Sequence, residues 1–296
     1  MGEIDGIVAE LEPLLGTPSG EPVALEGGIT NHNFRVRLGG EEYVIRRHGR
    51  ETERLGIDRG AERMASEAAA ALGIAPALVA SVEGGLVTRF VQCTTATPAQ
   101  VRERVSEIAL ALAGFHALDL QLPAAFWVPD LLARYEQEVR SRGGQVPEEY
   151  ARAQAVVARI AAAVPLGEPR PCHNDLLAGN VILASGDGRV MIVDWEYAGM
   201  GHPYFDLGNL AVNNGYEDAE EEALLAAYHG ERADDRRRAR LKLMRIVSDA
   251  REAAWGVAQS VISDLDFDFG GYASEHLDRL AAAVEGADFE EWLAAA

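Results

Sequence analysis

Two segments in the second half of the chain carry side chains suited to metal-assisted chemistry. His173, Asp175 and Asn180 have the spacing H-x-D-x-x-x-x-N. An aspartate at this place can orient a hydroxyl group and accept its proton, and the asparagine can offer an amide oxygen to a divalent cation. Asp194 ends the apolar run 190–193, fourteen residues after Asn180. One carboxylate and one amide oxygen suit Mg²⁺, which keeps several waters and takes further ligands from phosphate oxygens.

These side chains need rigid elements around them, and the sequence predicts such elements. The apolar runs 181–183 and 190–193 flank the polar turn Ser185-Gly186-Asp187-Gly188, a pattern typical of a β-hairpin. From Thr97-Pro98, an N-cap followed by proline, apolar residues recur at helical spacing up to position 115. Further helices are predicted near residues 131–142, 148–163, 220–230, 234–263 and 274–285. The hairpin therefore lies within a mostly helical region.

The first ninety or so residues have a different character. Alternating and apolar runs predict strands at residues 23–25, 33–38, 42–46 and 86–90. The second and third of these flank Gly39-Gly40-Glu41, a hairpin turn, and an Ala-rich helix is predicted at 59–72. The sequence thus predicts an α+β fold with a small N-terminal antiparallel sheet plus one helix. Its composition changes near 90–97, which places the expected domains at 1–92 and 93–296.

Composition narrows the possible functions. The net charge of −20 argues against a general nucleic-acid binder, which needs basic patches. Two cysteines imply no disulfide framework, and they favour a reducing compartment. The N-terminal residues lack the basic region of a signal peptide, and no window approaches 18 uninterrupted apolar residues. We therefore expect a cytoplasmic protein with no nucleic-acid or membrane partner.

The stretch CHNDLLAGNVIL, followed by IVDWEYAGMGHPYFDLGNLAVNNG, resembles the choline/ethanolamine kinase branch of the aminoglycoside phosphotransferase-like kinases. The H-x-D-x-x-x-x-N spacing is also that of the protein-kinase catalytic loop. The resemblance covers most of the chain and implies a two-lobed, protein-kinase-like fold with a larger, helical C-terminal lobe. It further implies a kinase that uses ATP and Mg²⁺ to phosphorylate the hydroxyl of choline or a related amino alcohol, such as ethanolamine.

By this resemblance, Asp175 would be the catalytic base, and Asn180 and Asp194 would be the Mg²⁺ ligands. Asp206, in the FDLGN segment, would be structural and would fix the catalytic loop by hydrogen bonds. His173 would orient neighbouring groups and would not carry protons.

The nucleotide is expected at three places in the N-terminal lobe. The glycine-containing turn with Gly28, Thr30 and Asn31 would let backbone N–H groups approach phosphates. Arg46, at the end of a strand, resembles the phosphate-binding cation of the family. Its partner would be a helix acid, and the pattern R-x-x-E favours Glu62, with Glu67 as the alternative.

The adenine base is expected against the segment 89–92, with Phe90 and Gln92 at its centre and backbone hydrogen bonds holding the ring. This segment lies at the predicted domain boundary.

The acceptor is expected near four aromatic residues and one acid. A quaternary ammonium cannot donate N–H hydrogen bonds, so aromatic faces and carboxylates must recognise it. The candidates are Glu196, Tyr197, Trp255, Phe269 and Tyr272. The alternative is that these aromatics are core residues of a helical domain.

Two positions depart from the family pattern. Ala258 stands where relatives often have a second tryptophan, and Asn213 stands where some have an acid. Both differences weaken the choice of choline over ethanolamine.

Two other functions remain as alternatives. An aminoglycoside kinase, or another O-phosphotransferase of this fold, would need several carboxylates in the acceptor pocket. A non-catalytic nucleotide-binding pseudokinase would be expected to lack a catalytic acid or metal ligand, and here all are present. A serine hydrolase is not supported, because the chain has no G-x-S-x-G elbow.

Overall fold

An antiparallel sheet dominates the N-terminal part of the computed structural model, which describes residues 3–25, 32–49 and 51–296. Its strand order is β1-β2-β3-β5-β4. The strands are β1 (Val23–Leu25), β2 (His32–Leu38), β3 (Glu41–Arg47), β4 (Leu78–Val82) and β5 (Gly85–Arg89). Gly39 and Gly40 form the β2–β3 turn at φ 58° and 88°, a tight hairpin turn that requires positive φ at both central positions. β4 was not predicted from the sequence.

Side-chain alternation along β3 gives this sheet two different faces. Tyr43 and Ile45 lie in an apolar cluster with Ile7 and Leu11 of helix α1 (Asp5–Leu15). Val44 and Arg46, on the opposite face, line a cleft. Because successive side chains of a strand point to opposite faces, one strand both closes a core and presents a cation to the cleft.

Helix α2 (Arg59–Ala71) begins where the Asp58 side chain accepts a hydrogen bond from the Ala61 N–H at 2.9 Å. Its buried alanines, Ala61, Ala65 and Ala69, recur every fourth residue and therefore share one face. Glu62 is fully buried on the same helix, which is unusual for an acid unless it is paired.

The rest of the chain is mostly helical, and the boundary predicted at residues 92 and 93 stays a prediction. The helices are α3 (Pro98–Glu103), α4 (Val105–His116), α5 (Val128–Ser141), α6 (Glu148–Ala163), α7 (Pro203–Asn213), α8 (Asp218–His229), α9 (Asp235–Ile262), α10 (Phe269–Glu285) and α11 (Phe289–Ala295). Helix α9 is central, since it packs against α5, α6, α7, α8, α10 and α11. In the described parts of the chain, no helix is both long and apolar enough to cross a membrane.

Five short strands flank the segments that contain the predicted catalytic residues. They are β6 (Cys93–Thr95), β7 (Arg170–Cys172), β8 (Val181–Ala184), β9 (Val190–Ile192) and β10 (Gly199–Gly201). β8 and β9 form the predicted hairpin, and β6 adds to it as a third strand.

The segment before β6 is attached at both ends. The Phe90 N–H donates to the Glu42 carbonyl at 3.0 Å, and the Gln92 carbonyl accepts from the Ser185 N–H at 2.7 Å. The chain thus passes from the sheet to the hairpin through a short, bonded connection.

Candidate active site

The loop that carries Asp175 is held from behind by Asp206 of α7. The Asp206 carboxylate accepts the N–H groups of His173 at 2.8 Å and Asn174 at 2.7 Å, and it lies 2.9 Å from His116 Nε2. Burial alone would raise the pKa of Asp206, but the hydrogen bonds from His116 and the His173 N–H hold it below its usual value. The predicted loop-fixing hydrogen bonds of Asp206 are present.

Asn209, almost one turn further along α7, fixes the next part of the loop. Its Oδ1 accepts the Leu176 N–H, and its Nδ2 donates to Ser248 Oγ at 2.9 Å and to Glu252 Oε1 at 3.3 Å. The loop is therefore connected through Asn209 to buried polar residues of α9.

His173 connects the loop to the end of β9. Its Nδ1 accepts the Asp175 N–H at 3.1 Å, and its Nε2 donates to the Val193 carbonyl at 3.0 Å. Burial lowers the pKa of His173 to about 4, so the ring is neutral near pH 7 and fits this donor–acceptor pattern. These contacts are those of an orienting residue.

Asp175 and Asn180 contact each other directly. Asn180 Nδ2 donates to the Asp175 backbone carbonyl at 2.8 Å and to the Asp175 carboxylate oxygen Oδ2 at 3.1 Å. With Nδ2 engaged, the Asn180 Oδ1 is the atom left for a cation. Burial raises the pKa of Asp175 to about 7, with Arg251 acting against the shift and Glu252 adding to it.

Asp194 has a left-handed backbone conformation, with φ 67° and ψ 60°. This region is uncommon for a residue other than glycine and is often found at functional sites. Burial raises the pKa of Asp194 to about 6, although the Arg46 guanidinium opposes the shift. The backbone thus holds a partly buried carboxylate close to the Arg46 guanidinium.

We call the next group the arginine–carboxylate network; it consists of Arg46, Arg59, Glu62, Asp194 and Glu196. Arg46 donates from Nη1 to Glu62 Oε1 at 2.8 Å and from Nη2 to Asp194 Oδ1, and its Nη2 lies 3.1 Å from Glu196 Oε2. Arg59 Nη1 donates to Glu62 Oε2 at 2.7 Å and to Glu196 Oε2 at 3.2 Å. Both arginines therefore bridge acids from different elements.

Glu62 makes the contact with Arg46 that the R-x-x-E pattern favours. The alternative, Glu67, is exposed and pairs with Arg63 at 2.7 Å. Arg47, next to Arg46, lies on the other face of the sheet and borders a different cavity.

A second group, which we call the acceptor-side cluster, consists of Tyr197, Arg251, Glu252, Trp255 and Tyr272. Trp255 Nε1 donates to the Tyr197 hydroxyl at 2.8 Å, and the Tyr272 hydroxyl donates to Glu252 Oε2 at 2.8 Å. Arg251 Nη1 donates to Glu252 Oε1 at 2.8 Å and to Asp175 Oδ1 at 3.2 Å. The Arg251 Cζ lies 4.4 Å from the Tyr197 ring centroid.

One cleft of about 660 Å³ connects the two groups. The residues proposed from sequence that line it are Arg46, Phe90, Gln92, Asp175, Asn180, Asp194, Glu196, Tyr197, Trp255 and Tyr272. Glu62 lies behind Arg46, and Phe269 packs behind Trp255 with ring centroids 5.7 Å apart; neither is part of the lining. Gly28, Thr30 and Asn31 fall outside the described residues.

A model of the phosphotransferase enzyme family matches residues 22–241. The chain belongs to this family. Ethanolamine kinase 2 from Mus musculus is 30% identical over 301 residues, which cover 90% of this chain and 77% of the mouse protein. The predicted resemblance and the prediction of a phosphotransferase are thus confirmed.

Solved structures agree with this family. The crystal structure of a choline/ethanolamine kinase family protein from Mesorhizobium loti superposes with a TM-score of 0.82 at 28% identity, covering 98% of each chain. Choline kinase LicA from Streptococcus pneumoniae superposes at 0.76 with 22% identity, covering 95% of this chain and 100% of that chain. At that identity the second match speaks for the fold alone. The predicted two-lobed α+β fold is confirmed.

Sequence reasoning gave no role to three charged residues of these two groups: Arg251, Glu252 and Arg59, which is itself the arginine of the R-x-x-E pattern. Arg251 lies four residues before Trp255, so both share one face of α9. An arginine and a glutamate in the otherwise apolar run REAAWGVA could have drawn attention to them. Arg59 precedes Glu62 by three residues, the spacing of a helical ion pair.

Proposed function

We propose that this phosphotransferase transfers the γ-phosphoryl group of ATP to the hydroxyl of a small amino alcohol, ethanolamine or choline. The observation that carries the proposal is that one cleft is lined by Asp175, Asn180, the acceptor-side cluster and three members of the arginine–carboxylate network, Arg46, Asp194 and Glu196. The name of the mouse relative, an ethanolamine kinase, supports the amino-alcohol class.

Asn180 Oδ1 and the Asp194 carboxylate would hold Mg²⁺, which neutralises charge on the transferring phosphoryl group when bound. The charges of the arginine–carboxylate network and the acceptor-side cluster, taken together with Asp175, fit a divalent cation; two further arginines that line the cleft, Arg35 and Arg89, pair with Glu42 and Glu41. Five carboxylates (Glu62, Asp175, Asp194, Glu196 and Glu252) meet three guanidinium groups (Arg46, Arg59 and Arg251). This is an excess of two negative charges when all the groups are ionised, and hard oxygen donors are the ligands Mg²⁺ prefers.

Asp175 would act as the general base. The acceptor oxygen attacks the γ-phosphorus, the bond from that phosphorus to the β–γ bridging oxygen breaks, ADP departs and the hydroxyl proton moves to Asp175. The Asn180 contact fixes the orientation of the Asp175 carboxylate. A base whose pKa lies near the working pH is well suited to such a transfer.

The nucleotide would lie along the sheet side of the cleft. Arg46 would contact phosphate oxygens, Glu62 would hold Arg46 in place, and the turn with Gly28, Thr30 and Asn31 would cover the phosphates. The base would lie against Phe90 and Gln92. The Phe90 N–H and the Gln92 carbonyl are bonded within the protein, so the opposite backbone groups, the Phe90 carbonyl and the Gln92 N–H, would meet the adenine.

The acceptor would lie against Tyr197, Trp255 and Tyr272, with Phe269 supporting Trp255 from behind. The Glu196 carboxylate, which was expected near the acceptor, contacts Arg46 and Arg59. We therefore propose that Glu196 positions the nucleotide-side arginines and does not bind the acceptor ammonium.

An aminoglycoside acceptor is less compatible with this pocket. Polyamino sugars require several accessible carboxylates, whereas the oxygens of Glu252 already accept from Arg251, Asn209 and Tyr272. Apart from Arg251, the other members of the acceptor-side cluster are aromatic.

The test is an ADP-release assay with ethanolamine, choline and an aminoglycoside in parallel, with Mg²⁺ and with a chelator. We expect Mg²⁺-dependent turnover with an amino alcohol and little with the aminoglycoside. The Asp194→Asn variant should need at least about tenfold more Mg²⁺ for half-maximal rate, since one carboxylate ligand is lost. The matched control is Glu67→Gln, which removes an exposed acid outside the cleft. ATP binding without turnover of any acceptor would contradict the proposal and favour a non-catalytic nucleotide-binding protein.

A further inference from the structure

Arg251 is an unusual residue for the acceptor side of the cleft. It is 1% exposed and is among the largest fully buried side chains. Charged side chains are rarely buried to this degree without partners. Its position in the middle of α9 places the guanidinium directly between the catalytic loop and the aromatic residues.

Arg251 contacts two acids and one aromatic ring. Its Nη1 donates hydrogen bonds to Glu252 Oε1 at 2.8 Å and to Asp175 Oδ1 at 3.2 Å. Nε and Nη2 have no hydrogen-bond partner among the described residues, and the Cζ lies 4.4 Å from the centroid of the Tyr197 ring. The guanidinium therefore makes a cation–π contact with Tyr197.

This contact occupies a face of the Tyr197 ring that the ammonium group of an acceptor would need. A fully methylated ammonium has no N–H donor and depends on open aromatic faces, whereas a primary ammonium can donate hydrogen bonds to oxygens. One face of Tyr197 already holds a cation. The oxygens of the cluster remain as possible partners for N–H groups, among them the hydroxyls of Tyr197 and Tyr272.

We infer that Arg251 is a specificity-determining residue: by occupying the ring face of Tyr197, it makes the enzyme prefer amino alcohols whose nitrogen carries hydrogens over fully methylated ones. The inference rests on the proposed amino-alcohol kinase function. A purely structural role for Arg251, neutralising Asp175 and Glu252, would instead affect all acceptors equally.

The experiment measures kcat and KM for ethanolamine and its N-methyl, N,N-dimethyl and N,N,N-trimethyl (choline) derivatives. The wild-type kcat/KM should fall along the series, by at least about tenfold in total, which is the size of one cation–π contact. Arg251→Ser should lower kcat with every acceptor, since it also loses a contact to Asp175. It should also reduce the ethanolamine-to-choline ratio by about tenfold, mainly through the KM for choline.

Two further variants separate the possible causes. Arg251→Lys keeps the charge but loses the planar group that stacks on the ring, so its ratio should lie between those of wild type and Arg251→Ser. Arg159→Ser is the matched control: Arg159 also lies over an aromatic ring, with its Cζ 5.2 Å from the Phe289 centroid, but outside the cleft. It should leave the ratio unchanged.

Three results would overturn the inference. The first is a wild-type enzyme that uses choline as well as ethanolamine, which needs no variant to fold. The second is an equal loss for all four acceptors in Arg251→Ser and Arg251→Lys. The third is no turnover with any of the four acceptors, which would first refute the proposed function and the inference with it.

Discussion

The arginines on the two sides of the cleft make different kinds of contact. In the arginine–carboxylate network, Arg46 and Arg59 come from β3 and α2 and are held among three acids. In the acceptor-side cluster, a single arginine from α9 is divided between acids and the face of a ring. The arginine–carboxylate network suits a polyanion and the metal cation bound to it, because every member of the network is a charged residue. The acceptor-side cluster suits a small ligand selected by shape and by hydrogen-bond donors.

Asp175 lies between the two sides, since it contacts both Asn180 and Arg251, and its loss should have the largest effect on activity. We expect Asp175→Asn to reduce kcat about a thousandfold, within the range of general-base catalysis, with the KM values for ATP and acceptor little changed. ADP-release kinetics and a thermal unfolding curve measure this. The control is Asp187→Asn, an exposed acid in the β8–β9 turn. Near wild-type turnover in Asp175→Asn would show that another group accepts the proton.

Asp206 holds the backbone of the loop that carries Asp175, so its removal should first lower the stability of the protein. Asp206→Asn places an amide N–H₂ against backbone donors and should lower the free energy of unfolding by about 3–5 kcal/mol, as when a buried charged partner is removed. The pKa of Asp206 is lowered in the fold, so its contribution exists above the ordinary aspartate pKa and is lost as the pH falls through the folded value.

The stability difference between wild type and Asp206→Asn should therefore be full near pH 7 and should shrink in acid. Denaturant unfolding at a series of pH values checks this. A difference that stays constant with pH would mean that the carboxylate charge is not the cause.

Arg46 tests the nucleotide side alone. Arg46→Gln keeps some hydrogen-bonding capacity but loses the charge, and we expect the KM for ATP to rise about tenfold with the acceptor KM unchanged. Arg47→Gln is the control, since this neighbour lies on the other face of β3. An equal rise in both KM values would indicate that the two sides are not independent.

Tyr272 tests the acceptor side alone and should give the smallest effect. Tyr272→Phe removes the hydroxyl that donates to Glu252, and we expect the acceptor KM to rise about fivefold with the ATP KM unchanged, as for one ordinary hydrogen bond. Tyr228→Phe removes another hydroxyl that is bonded inside the protein, to His116, and should change neither KM. A change in the KM for ATP alone would indicate that Tyr272 acts on the nucleotide side of the cleft and not on the acceptor side.

The sequence predicted the parts of the site that local patterns define. The β8–β9 hairpin and the strand that contains Arg46 follow from short-range alternation and turn residues, and the loop from His173 to Asn180 follows from its H-x-D-x-x-x-x-N spacing. Helix α10 begins at Phe269, five residues before the predicted start, because the Asp268 side chain caps the Gly271 N–H at 2.8 Å.

Other features depend on partners that are distant in sequence. The strands β6, β7 and β10 have three residues each, too few to show alternation, and they exist through pairing with remote strands. Glu196 and Tyr197 are neighbours in the chain, yet one contacts arginines and the other contacts Trp255. The directions of the side chains in such a tight turn depend on its backbone angles, and the residue types do not specify these angles.

The attachment of the segment before β6 has a mechanical consequence. Phe90 is bonded to the sheet and Gln92 to the loop between β8 and β9, so Val91 alone separates the two anchored residues along the chain. Along this connection, a change in the angle between sheet and hairpin would fall on the torsions of Val91, and it would also have to change the hydrogen bond from the Ile192 N–H to the Ile74 carbonyl, 2.7 Å long. The short covalent connection between sheet and hairpin therefore lies at the place where we propose that the base binds.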